Sequence, residues 1–196
     1  KLSFNLARNL EVLVGKNVDT NYSYNLSNIK VCFRSVPDMN PKASVLMNTT
    51  LCLKSSLNST FSNTSSKVPA VCNAVSVVFL NQNHEYQPHF NNQALEEPPN
   101  IKDVNYIFND STNQYISYQI DERVEMMQRG LESLDFNKSA NVSLDLLSAN
   151  KSFILGINFN TDIDLSSQKF NLQMNSDITN ANPFLMYQYF HSQMNI

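Results

Sequence analysis

Glycine is nearly absent from this chain: Gly15, Gly130 and Gly156 are the only three in 196 residues, and none lies near another. Phosphate-cradling loops need clustered glycines, so neither a dinucleotide fingerprint nor a P-loop can be written, and no Gly-x-Ser-x-Gly elbow exists. Long apolar runs are also missing. The longest are a few residues, as at Val77-Val78-Phe79-Leu80, whereas a membrane-spanning helix takes about 20. Basic residues number 14 against 17 acidic ones and are scattered. With no basic stripe to follow a phosphate backbone, sequence-specific nucleic-acid binding is not expected. No basic start followed by an apolar stretch marks a secretory leader. An apolar alternation nevertheless begins at once, through Leu2, Phe4 and Leu6 and then Leu10, Val12 and Val14, and this suggests a strand in a chain that continues upstream.

Cysteine is scarce and odd in number. Cys32, Cys52 and Cys72 all sit among apolar neighbours, which favours buried free thiols acting as small hydrophobes. One disulfide is the alternative, and without a Cys-x-x-Cys pair zinc is not expected. Asparagine is the opposite case, with 29 residues. Asn-x-Ser/Thr sequons begin at Asn21, Asn25, Asn48, Asn58, Asn63, Asn109, Asn137, Asn141 and Asn150. In so Asn-, Ser- and Thr-rich a chain composition alone supplies several of them, so glycosylation stays an open reading.

What recurs is alternation. Tyr22 and Tyr24, then Ile29, Val31 and Phe33, alternate with polar residues until Pro37. Val75, Val77 and Phe79 repeat the pattern, as do Val104, Tyr106 and Phe108, and Ile116, Tyr118 and Ile120. Asn109 to Asn113 between the last two is polar and turn-forming, which predicts a hairpin. Phe153, Leu155, Ile157 and Phe159 follow, then Phe170, Leu172 and Met174, and finally Phe184 to His191. A period of two puts each apolar set on one sheet face. About eight short strands with little helix between them predict an all-β sandwich or barrel.

One segment departs from the pattern. From Asp121 to Leu134 the residues Val124, Met127, Leu131 and Leu134 fall at helical spacing, with Asp121 and Glu122 in the first turn, where negative charge suits the helix dipole. Gly130 inside it costs up to about 1 kcal/mol and is expected to end the helix early. Two stretches read as long loops: Ser55 to Lys67, almost all Ser, Thr and Asn, and Asn81 to Asn100, with its histidines and prolines. No repeat or composition shift divides the chain, so residues 1–196 are read as one domain.

Candidate chemistry is thin. His84-Glu85-Tyr86-Gln87-Pro88-His89 approximates a zinc-binding His-Glu-x-x-His, but the second histidine is one position late and Pro88 breaks the helix it needs. His84 and His89 are therefore expected in a solvated loop. Asp162 and Asp164 lack the glycine and further ligands of a calcium loop and read as strand-edge acids. His191 reads as an outward polar residue or an interface contact. Glu96-Glu97 and Asp121-Glu122 read as surface charge. Tyr22/Tyr24, Tyr115/Tyr118 and Tyr187/Tyr189 read as core or interface residues, with stacking on sugars or bases as the alternative. The expectation is no enzyme, no catalytic or cofactor-binding residue, no metal and no small-molecule substrate.

The order of features resembles a known family. The stretch from Tyr22 to Val36 looks like the early strands of a viral jelly roll. The segment Asn105-Tyr-Ile-Phe-Asn-Asp-Ser-Thr-Asn-Gln-Tyr-Ile-Ser-Tyr118, followed by a short helix, resembles the middle of such a domain. The ending from Asn182 to Ser192 is similar to the last strand of major capsid proteins of tailless icosahedral viruses, the double (vertical) jelly-roll lineage. The resemblance covers most of the chain as a pattern, without a diagnostic motif. It implies an antiparallel jelly-roll β-sandwich of about eight strands with long loops and one short helix: one jelly roll, or the C-terminal part of a longer chain. It also implies a capsid subunit in the virion whose partners are other capsid subunits, as a homotrimer or pseudo-hexameric capsomer. The competing readings are a secreted, glycosylated recognition or adhesion module and, behind it, a hydrolase on a β-sandwich.

Overall fold

A computed structural model gives the structure and describes residues 25–28, 30, 46–67, 71–85, 96–109, 114–134, 152–164 and 169–195. Within them run eight strands: β1 (Leu46–Leu57), β2 (Phe61–Lys67), β3 (Val71–Asn81), β4 (Asp103–Asn109), β5 (Gln114–Ile120), β6 (Ile154–Asp164), β7 (Lys169–Asn175) and β8 (Phe184–Asn195). One α-helix, α1 (Arg123–Leu134), lies between β5 and β6. The strands form two four-stranded sheets in the orders β1-β8-β3-β6 and β2-β7-β4-β5, and every pairing is antiparallel. The first strand pairs with the last, the second with the seventh, the third with the sixth and the fourth with the fifth. A double ribbon of this kind, rolled so that successive pairs fall in alternate sheets, is a jelly roll.

The alternating apolar sets point between the sheets as their period requires. Val75, Val77, Phe79, Val104, Tyr106, Phe108, Phe170, Leu172 and Met174 are all buried. Aromatic rings stitch the two layers. Phe170 of β7 meets Phe190 of β8 edge-on at 5.7 Å, and Phe108 of β4 meets Phe159 of β6 edge-on at 5.1 Å. Each such pair adds about 0.5–1.5 kcal/mol beyond the area it buries. Tyr106 is fully buried yet satisfied, because its hydroxyl accepts the Gly156 N–H at 3.0 Å.

Three expectations need correction. Ser55 to Lys67 is not a loop: it holds the end of β1, a three-residue turn and β2. Ser62 and Ser66 occupy the inward positions of β2 and are buried, so a strand formed by pairing with β7 carries no apolar signal. Gly130 does not end the helix, which runs four residues further. The helix packs on β6 through Gly130, where a Cβ would fall on the Ile154 carbonyl oxygen, and Ser133 sits where a Cβ on Gly156 would be. That close approach turns Met126, Met127, Gly130 and Ser133 inward and leaves Val124 62% exposed. Gly130 lies about 120° around the helix from Val124, so the expected stripe was centred too far round.

The last strand runs past His191 to Asn195. Asn81 to Asn100 opens with a 3-10 turn at Gln82–His84 and returns at Glu96, which bridges Ser152. The strands expected through Leu2 to Val14 and through Tyr22 to Phe33 lie outside the described residues. Among the described residues, no helix is long and apolar enough to cross a membrane.

Candidate functional site

The histidine expected to face outward is buried. His191 of β8 is 7% exposed and aligns with Thr50 of β1 and Ala74 of β3. Its Nε2 is 2.7 Å from Ser76 Oγ and its Nδ1 3.4 Å from Thr50 Oγ1. Burial holds its pKa below the ordinary histidine value. A hydroxyl on an imidazole at 2.7 Å is the spacing of a nucleophile and its base, but Nδ1 meets a hydroxyl where an orienting carboxylate would stand, and Ser76 is 1% exposed. In this conformation the pair cross-links three strands and offers no path to a substrate carbonyl.

A second polar group gathers where β3 ends. His84 Nδ1 lies 3.0 Å from Glu96 Oε1, and Glu96 Oε2 accepts the Asn81 N–H at 3.3 Å. Lys54 pairs with Glu85 at 2.5 Å. His84 is thus half-buried and within hydrogen-bond distance of a carboxylate, while His89 lies outside the described residues. Glu97 is also more than loose surface charge, because Arg123 donates to both its oxygens at 2.7 and 2.6 Å. Asp121 and Glu122 are exposed, as expected. Asp162 and Asp164 lie on β6, an outer strand of its sheet among the described residues. Among the described residues, no three His, Cys, Asp or Glu side chains cluster closely enough to hold a metal.

The cysteines divide. Cys72 is buried and donates to the Ala74 carbonyl at 3.2 Å, and burial pushes its pKa up to about 12. Cys52 is a free thiol that is exposed, contrary to expectation, because its position on β1 points away from the core. Beside it Tyr189 is raised to about 12, first by burial and then by Cys52. Tyr187 carries the Lys54 ammonium 5.7 Å above its ring. These two tyrosines therefore line the outer face of the first sheet. Tyr118 donates to Glu125 at 2.5 Å. Cys32, Tyr22 and Tyr24 lie outside the described residues.

Of the sequons, Asn58 lies exposed in the turn between β1 and β2, and Asn25 and Asn63 are exposed as well. Asn109 is half-buried and accepts from Asn171 Nδ2 at 2.7 Å. Leu51, midway along β1, and Phe61, the first residue of β2, expose 43% and 51% of their surface.

No protein-family model matches the chain, and no curated protein sequence matches it. The resemblance of strand order therefore rests on the fold itself.

Proposed function

We propose that this chain is a structural capsid subunit, one jelly roll of the double jelly-roll lineage of tailless icosahedral viruses. On this reading it self-assembles into the capsomers of a virus shell. The observation that carries the reading is topological: sheets ordered β1-β8-β3-β6 and β2-β7-β4-β5, with helix α1 inserted between β5 and β6 and seated on β6. The hairpin, short helix and closing strand on which the resemblance partly rests fit this reading, while most of the stretch from Tyr22 to Val36 lies outside the described residues. Such a subunit works mechanically. It buries apolar faces internally and offers edges, turns and isolated apolar side chains such as Leu51 and Val124 to neighbours in a closed shell. Its partners are further capsid subunits, its place is the virion, and it needs no catalytic residue or cofactor.

The test is assembly. Light scattering behind size-exclusion chromatography, with negative-stain imaging, is expected to show trimers or larger particles. A monomer that stays monomeric at high concentration overturns the proposal. A secreted recognition module is the second reading, favoured by the exposed Asn58 sequon in a turn. Several N-glycans in the mass spectrum of the natural protein would favour it.

A further inference from the structure

The outer face of the second sheet carries a row of carboxamides across all four of its strands. Asn63 of β2 aligns with Gln173 of β7, Gln173 with Asn105 of β4, and Asn105 with Gln119 of β5. All four point away from the core and are exposed or half-buried. Asn105 Oδ1 accepts from Ser117 at 3.0 Å. Among the described residues, Asn63, Gln173 and Gln119 carry no hydrogen bond to another side chain, so their amides are free to bond outward. Each carboxamide both donates and accepts. Neighbouring strands place them about 4.8 Å apart.

The two ends of this face differ. At one end Lys67 and Lys169 stand directly opposite each other, both exposed and without an ion-pair partner among the described residues. Like charges facing across a strand pair repel, and an anion placed between them removes that cost. At the other end are the half-exposed ring of Phe61 and the Asp103 carboxylate, which already accepts from Asn175 Nδ2 at 2.8 Å. Phe61 and Lys67 share one strand face, six residues and so about 20 Å apart.

We infer that this face binds a short acidic oligosaccharide, its hydroxyls on the Asn63–Gln173–Asn105–Gln119 row, an apolar sugar face on Phe61 and its acidic group between Lys67 and Lys169. Each sugar hydroxyl can both donate and accept, and carboxamides satisfy both without desolvating a charge. The size of the face favours this occupant over a second copy of the chain. Three strand spacings by about 20 Å is on the order of 300 Å², well under the roughly 800 Å² per partner of a stable protein interface. Two lysines are also too few for a nucleic acid. The inference stands on this face alone and is independent of whether the chain builds a shell.

Titration calorimetry with three probes tests it: 3′-sialyllactose (carboxylate), a heparin-derived tetrasaccharide (sulfate) and lactose (neutral). Saturable binding of at least one acidic probe is expected, at least tenfold tighter than lactose, and the arm that binds identifies the acidic group. Lys67→Glu/Lys169→Glu and Asn105→Ala/Gln173→Ala should each weaken it at least tenfold without altering thermal unfolding. Arg129→Gln, on the helix, should leave it unchanged. Absence of saturable binding to every acidic probe overturns the inference, as does binding equal to that of lactose or unaffected by either face variant. Loss of self-association in those variants, with no sugar binding in the parent protein, also overturns it and makes the face a subunit contact.

Discussion

Ser66 Oγ donates to Gln188 Oε1 across 2.6 Å, joining the second strand of one sheet to the last strand of the other over 122 residues of sequence. Both side chains are buried, and Gln188 Nε2 reaches Thr64 Oγ1 at 3.4 Å. This polar clasp and the Gly156–Tyr106 bond both join two sheets that meet largely through rings and aliphatic chains.

Truncating one partner leaves the other buried and unsatisfied, which costs about 1–3 kcal/mol. Gln188→Leu and Ser66→Ala are each expected to lower stability by that amount in urea denaturation. The double variant should lose less than the sum, by about 0.5–3 kcal/mol. Strict additivity would mean the two side chains do not interact.

Gly130→Ala places a methyl group on the Ile154 backbone carbonyl, which cannot rotate away. Overpacking of this kind costs about 1–3 kcal/mol, and each kcal/mol lowers Tm by about 2–4 °C in a chain of this size. Gln128→Ala, on the exposed side of α1, is the control and should stay within about 0.5 kcal/mol. Equal melting temperatures for the two variants would show that the helix does not seat on β6 through Gly130.

His191 titrates in a known direction. Burial lowers its folded pKa, so the unfolded chain takes up the proton first as pH falls. Its contribution is constant above the ordinary value near 6.5 and turns unfavourable as pH drops from there toward the folded pKa. The wild-type protein should therefore lose more Tm between pH 7.5 and 5 than His191→Gln, whose amide can still bond Ser76. Parallel pH profiles would contradict the burial of this ring.

Thiol reactivity separates the cysteines. With its pKa near 12, Cys72 holds almost no thiolate at pH 8 and is shielded as well. Iodoacetamide should label Cys52 in the native protein and Cys72 only after denaturation, as read by peptide mass spectrometry. Equal labelling rates would place Cys72 at the surface.

Much of this was legible from local pattern. Val104/Tyr106/Phe108 and Phe170/Leu172/Met174 announce strands because a period of two and a buried face impose alternation directly on the residues. β2 was not legible. Its inward residues are Ser62, Thr64 and Ser66, hydroxyls whose burial depends on partners such as Gln188 and the Leu172 carbonyl more than a hundred positions away. The same holds for His191, which alternation placed on the outer face of β8 but could not show to be covered. The outer carboxamide row was equally hidden, since Asn63, Gln173, Asn105 and Gln119 come from four separate strands and align only through pairing register.

The sequence by itself determined which segments extend, which one coils and which side chains of each strand share a face, because those properties follow from backbone geometry within a few residues. The tertiary structure decided which strands became neighbours, how the helix is turned about its axis and which polar groups meet. Hydrogen-bond partners and close packing contacts are chosen between segments distant in the chain, and a local period carries no information about them.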